Sequence, residues 1–234
     1  LAMSSAASDV YKRQLYSFDG ATTVTAKAGD NIDFAADAEF ATLTDSLTFA
    51  TGTIQLEDGV DLTINSSGGA IAINSVSGTT TGANFETITI NANDGAGESG
   101  ADGETVSIGN IGDSGHAQIH LVDITADDGI TLSGAIYTAD DGSQGNVVLR
   151  DKVIIDGTVI IDTDDGLSND GDITFTTSIE GSSQGAGSLS IEGGTGTITL
   201  TAIGASTGIG NLSINTQDTA TANLTIKNIG SCLL

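Results

Sequence analysis

Leu189-Ser-Ile191, Gly196-Thr-Ile-Thr-Leu200 and Ile203-Gly204 form one unit of a repeat that runs from Thr158 to Gly230. The unit before it is Val159-Ile-Ile161, Gly171-Asp-Ile-Thr-Phe175 and Ile179-Glu-Gly181, and the unit after it is Leu212-Ser-Ile214, Asn223-Leu-Thr-Ile226 and Ile229-Gly230. Val159 to Leu189 spans 30 residues, Leu189 to Leu212 spans 23, and Ile203 to Ile229 spans 26. Recurrence of one supersecondary unit at this period is the signature of a solenoid or array.

Outward from that stretch, the same apolar-polar-apolar dyad recurs through the chain. It is read at Ile32-Phe34, Leu47-Phe49, Ile54-Leu56, Leu62-Ile64, Ile71-Ile73, Ile88-Ile90, Val106-Ile108, Ile119-Leu121, Ile130-Leu132, Val147-Leu149 and Val153-Ile155. Period-two alternation over a few residues means short strands with one buried face. Gly, Asp, Asn and Ser punctuate the gaps, as turns require. The 234 residues include 32 Gly and no Pro or Trp, and no helix of ordinary length can be drawn. A sandwich or barrel also shows regular short strands. Near-identical strands from unit to unit favour instead an all-β parallel β-helix, a β-solenoid of irregular coils of roughly 23–30 residues. Val60–Gly78 reads as one coil and Phe85–Gly112 as another, with 93–103 as an insertion; residues 15–58 fit one or two coils.

The two ends read differently. Ser4-Ser-Ala-Ala-Ser-Asp-Val-Tyr-Lys-Arg-Gln14 resembles the translation of a transposase-type sequencing adaptor, and Cys232-Leu-Leu234 resembles the start of its reverse complement. The expected organisation is a non-native segment over 1–14, a single repeat domain over 15–231 that is a fragment of a longer protein, and an adaptor remnant over 232–234.

The formal charge of −25, from 31 acidic and six basic side chains, disfavours nucleic acid and anionic lipid as partners. No run is long and apolar enough to cross a membrane as a helix. The single cysteine, Cys232, leaves no disulfide framework and no Cys-based zinc or nucleophile chemistry in the repeat region.

Ile161-Asp-Thr-Asp-Asp-Gly166, Gly171-Asp-Ile-Thr-Phe-Thr-Thr-Ser-Ile-Glu-Gly181 and Gly187-Ser-Leu-Ser-Ile-Glu-Gly-Gly-Thr-Gly-Thr-Ile-Thr-Leu200 resemble the strand repeats of giant bacterial surface proteins, in the filamentous-haemagglutinin-like adhesin class. The resemblance covers 147–230 well and 15–146 only in style. It implies a secreted or surface-displayed right-handed β-helix, extracellular on a bacterial cell, acting as a stalk or adhesive fibre without catalysis. Its implied partners are neighbouring repeats and a host or matrix glycan or protein.

The acidic turn Asp162, Asp164 and Asp165, with Asp170 and Asp172, is the candidate metal site, because calcium takes several hard oxygen ligands from flexible loops. The spacing matches no EF-hand loop, and the same residues also read as a solvated turn whose side chains fix their own backbone. A calcium-dependent structural module is therefore the alternative function. Asp94, Glu98, Asp102 and Glu104 form a second acidic cluster, and His116 and His120 are the only histidines. No cofactor is implied otherwise. A polysaccharide-active β-helix enzyme would need a carboxylate pair or a basic side chain with aromatic platforms, which no spacing singles out here. Thr63, Thr89, Thr131, Thr174, Thr199 and Thr225 each lie between two inward apolar residues, so stacking would give the outward Thr ladder of an ice-binding solenoid.

Overall fold

The computed structural model describes residues 14–27, 29–78, 86–93, 103–114, 119–138, 145–164, 170–216 and 224–226. These residues hold 21 strands and no helix, and every strand pairing is parallel. The chain is a β-solenoid.

Three columns of strands run along it. The first stacks β1 (Gln14–Phe18), β4 (Ala38–Thr42), β7 (Asp61–Asn65), β9 (Glu86–Asn91), β11 (Ile119–Thr125), β14 (Asn146–Leu149) and the first halves of β17 (Ile173–Gly181) and β19 (Ile198–Ile203), ending on β21 (Leu224–Ile226). The second stacks β2 (Thr22–Thr25), β5 (Leu47–Thr51), the first halves of β8 (Ile71–Gly78) and β10 (Thr105–Ile111), then β12 (Gly129–Leu132), β15 (Val153–Ile155) and the second halves of β17 and β19. The third stacks β3 (Ile32–Phe34), β6 (Ile54–Leu56), the second halves of β8 and β10, β13 (Ile136–Tyr137), β16 (Thr158–Asp162), β18 (Ala186–Glu192) and β20 (Ile209–Asn215). One strand from each column makes a coil, so the described strands give eight coils and the first strand of a ninth. At roughly 4.8 Å per parallel strand spacing, eight coils form a rod about 40 Å long.

The register puts like on like. Leu62, Ile88, Val122, Val147, Ile173 and Ile198 follow one another down the first column, and Ile64, Ile90, Ile124, Leu149, Phe175 and Leu200 follow two residues on. All twelve are buried, within one core that runs from Phe34 to Ile203. A parallel sheet closed on itself keeps one face dry, so period-two alternation suffices where an open parallel sheet would need apolar residues on both faces. Each such side chain contributes about 1.5–3 kcal/mol of transfer free energy relative to exposure. At the amino-terminal end the core is aromatic: Phe40 stacks on Tyr16 at 4.7 Å and meets Phe34 and Phe49 edge-on at 5.6 and 5.1 Å.

Coil lengths differ because the corners absorb insertions, and β5 and β11 each take up one further residue as a bulge. Ile88 and Val122 are adjacent in the ladder yet 34 residues apart, whereas Ile173 and Ile198 are 25 apart. Buried hydroxyls close the corners: Thr163 donates to the Gly171 carbonyl at 2.8 Å and Thr138 to that of Gly145 at 2.5 Å. Gly145, Gly171 and Gly196 stack over one another at this corner. A Cβ on Gly171 would overlap the Gly145 carbonyl, and one on Gly196 would overlap that of Gly171. Neither glycine has a positive φ, so the close approach of backbone to backbone is what excludes a side chain.

Candidate functional site

Asp162 ends β16 and stands in register with Glu192, the last residue of β18 one coil on. Burial raises the Asp162 carboxyl to about 6, and the negative charges of Glu192, Asp164 and Asp170 push the same way, against a lowering hydrogen bond from the Asp164 backbone. That Asp164 N–H reaches Asp162 Oδ1 at 3.0 Å, closing an Asx turn. Asp170 is 3% exposed, and its Oδ2 accepts from the Thr195 N–H at 2.6 Å and the Thr195 hydroxyl at 2.9 Å. It fits because Gly194, at φ +45°, has no Cβ; one there would overlap the Asp170 carboxylate.

Asp172 lies two residues on and does something else. It is exposed; its N–H donates to Asn146 Oδ1 at 2.8 Å, and its own Oδ1 accepts from the Thr197 N–H at 2.7 Å. The five candidate calcium ligands are thus divided. Asp164, Asp170 and Glu192 lie near enough for their charges to act on Asp162, Asp172 belongs to an inter-coil ladder, and Asp165 is outside the described residues. Among the described residues, no three His, Cys, Asp or Glu side chains are arranged to hold a metal ion. Glu192 escaped the sequence reading because it lies 30 residues from Asp162 and only the register joins them.

The same use of carboxylates recurs. Glu180, 5% exposed, accepts from the Ser206 N–H at 3.1 Å and the Thr207 N–H at 2.5 Å, holding the corner of the next coil. Asp37 accepts from the Asp61 N–H at 3.0 Å, and the neutral amide oxygen of Asn110 does the same for the Ala135 N–H at 2.9 Å. These carboxylates are therefore structural, since each satisfies a backbone N–H at a corner.

Other candidates separate in the structure. Asp94, Glu98, Asp102 and His116 are outside the described residues, Glu104 is buried, and His120 sits half-buried in β11. The Thr ladder is corrected. Thr63 and Thr89 stack in the first column, and Thr174, Thr199 and Thr225 stack further along it, but Asp123 and Val148 stand between the two groups. Thr131 belongs to the second column, where it follows Ser107 and precedes Ile154. A dyad shows that a residue faces outward but not which of three faces carries it.

Arg150 grips Asp123 one coil below with two hydrogen bonds of 2.7 Å. A shallow groove of about 280 Å³ crosses four coils at the corner between the second and third columns, floored by Ala50, Ala72, Asn74 and Gly109 and edged by Thr48 and Ser107. No acid, base or cation lines it. No family model, curated protein or solved structure matches the chain.

The raised carboxyls give the fold a pH dependence of definite sign. Asp151 is pushed up by burial first and by Asp127 and Asp128, in the same sense as Asp162. An acid whose folded pKa exceeds its unfolded value binds more protons when folded. Its penalty is absent below the unfolded value of 3.8 and full above the folded value of about 6. Stability should therefore fall as pH rises from 4 to 6. Asp162→Asn, which keeps the Oδ1 acceptor, should raise Tm at pH 7.5 by about 2–4 °C, equivalent to at most ~1 kcal/mol for a half-exposed group. Melting curves at pH 4 and 7.5 check this; an equal gain at both pH values would remove the charge explanation.

Proposed function

We propose that this chain is a structural repeat segment, a stalk or adhesive fibre within a larger secreted or surface-displayed bacterial protein, and that it does no catalysis. The observation that carries the reading is the coil-on-coil stacking, interrupted only by local bulges, which places Ile, Leu, Val and Phe over one another in one core through eight coils. Such a body lengthens by adding coils, each of which contacts only its neighbours. The use of side chains supports the same reading: Asp170, Asp172, Glu180 and Arg150 are spent on holding adjacent coils together. The likeness of 147–230 to adhesin repeats points the same way. Recovering the complete reading frame from its source DNA tests the proposal. Further repeats of this kind behind an export signal are expected; a frame with no export signal and no further repeats would overturn it.

A calcium-dependent form of this reading rests only on the repulsion among Asp162, Asp164, Asp170 and Glu192, since no three of them are arranged to hold an ion. Calcium at that turn would lower the Asp162 pKa and raise Tm. A titration to millimolar calcium that leaves Tm unchanged would remove the ion from the account.

A further inference from the structure

Nine aspartates are followed directly by glycine, at positions 19, 58, 94, 102, 128, 141, 156, 165 and 170, so the sequence ranks them alike. The fold does not. In such a pair the glycine nitrogen can attack the aspartate Cγ, because no side chain on the glycine shields it. The attack needs a carboxylate free to swing toward that nitrogen and an N–H that donates to nothing else. Asp170 meets neither condition: its Oδ2 is held by the Thr195 N–H and hydroxyl, and the Gly171 N–H points to the Thr163 carbonyl at 3.4 Å. Asp128 Oδ2 accepts from the Gly103 N–H at 3.1 Å, and Gly129 is buried against Lys152. Asp156 and Gly157 differ from both. They form the exposed corner between β15 and β16 of an internal coil. Among the described residues the Asp156 carboxylate has no hydrogen-bond or ion-pair partner, and the Gly157 N–H has no acceptor. Gly157 has φ +93°, and nothing lies within 4 Å of where its Cβ would be.

We propose that Asp156-Gly157 is a site of spontaneous covalent modification, at which the folded chain converts aspartate to isoaspartate through a succinimide. The Gly157 nitrogen bonds to the Asp156 Cγ and gives up its proton, and one carboxyl oxygen leaves as water. Water then adds back at one of the two ring carbonyls. Breaking the new Cγ–N bond restores aspartate. Breaking the original bond to the α-carbonyl leaves the main chain running through Cβ and Cγ, with a free α-carboxylate. Water is the only co-reactant. The corner is bonded to both neighbouring coils, so the change reaches the stack. The Asp156 N–H donates to the Leu132 carbonyl of the preceding coil at 2.9 Å, and the Gly157 carbonyl accepts from the Ser188 N–H of the following coil at 2.8 Å. Isoaspartate inserts one main-chain carbon between these two bonds, while the coils on either side keep their strand spacing of about 4.8 Å. The Ser188 bond lies beyond the insertion and is the one displaced.

Ageing the full 234-residue chain at neutral pH, folded and in concentrated urea, tests this. Fragmentation mass spectrometry locates isoaspartate residue by residue, and an isoaspartate methyltransferase with S-adenosylmethionine reports the new α-carboxylate. In urea the pairs at 128, 156 and 170 should react at similar rates. In the folded chain Asp156 should react at least tenfold faster than Asp128 or Asp170, through a species lighter by one water. In the aged chain the Ser188 amide should exchange hydrogen at least tenfold faster, with the Thr195 amide unchanged. Asp156→Glu keeps the charge but must close a larger and slower ring, so it should abolish modification at this corner without altering Tm. Equal rates at the three pairs in the folded chain overturn the proposal. So does an Asp156 that reacts in urea and stays intact when folded. A Ser188 amide that exchanges at its original rate in the modified chain overturns the coupling to the stack.

Discussion

Gly171→Ala should lose at least about 3 kcal/mol of stability, the range reserved for overpacking that the backbone must absorb. The added methyl would overlap the carbonyl of Gly145 one coil below, and both atoms belong to main chain fixed by the ladder. Neither can rotate away as a side-chain tip would. Gly185→Ala is the informative comparison, because Gly185 has φ +72° and nothing within 4 Å of its absent Cβ. It should cost only about 1 kcal/mol, the penalty of a left-handed conformation for a residue with a side chain. Urea denaturation of both variants reads the difference directly. Equal losses would mean that the stacked glycines at 145, 171 and 196 are not set by space.

Phe175→Ala should cost about 3–5 kcal/mol, because Phe175 is 0% exposed and the cavity left behind is walled by Leu149 and Leu200 in register above and below. Where the loss is felt matters as much as its size. A coil touches only its neighbours, so stability is close to a sum of local terms. Hydrogen exchange should speed up strongly in β14, β17 and β19 and stay near its original rate in β4, β7 and β8. Uniform acceleration along the chain would show that the rod unfolds as one cooperative unit.

The dyads made most of the coils legible. Leu62-Ile64, Ile71-Ile73 and Val76 fall in the first, second and third columns of one coil, and the short segments at Ile179 and Ile203 pair with each other in the second column. Ile136-Tyr137 was missed as a strand, since two residues cannot display a period of two. The acidic turn was legible as a cluster but not as an arrangement. Asp170 and Asp172 look alike in sequence; the structure buries one against the Thr195 turn and leaves the other outside beside Thr197. Which residue does which depends on the lateral offset between coils, here 25 residues, and a single chain does not display that offset before it folds. Glu180 illustrates the same limit, because its acceptor role exists only once Ser206 and Thr207 have come round beneath it.

Backbone bonds between coils run both ways, but the N–H groups that reach side chains of another coil mostly point one way. The N–H groups of Asp61, Ala135, Asp172, Thr195, Thr197 and Thr207 each donate to a side chain of the preceding coil: Asp37, Asn110, Asn146, Asp170, Asp172 and Glu180 respectively. Gly103, whose N–H reaches forward to Asp128 at 3.1 Å, and Asp170, whose N–H reaches forward to the Thr195 hydroxyl at 3.3 Å, run the other way. In a chain released amino end first, each coil would emerge onto acceptors already in place, so assembly would advance as a ratchet whose teeth are Asp, Asn and Glu. Started from the carboxyl end, the same coils would have to form with those N–H groups waiting for acceptors not yet folded.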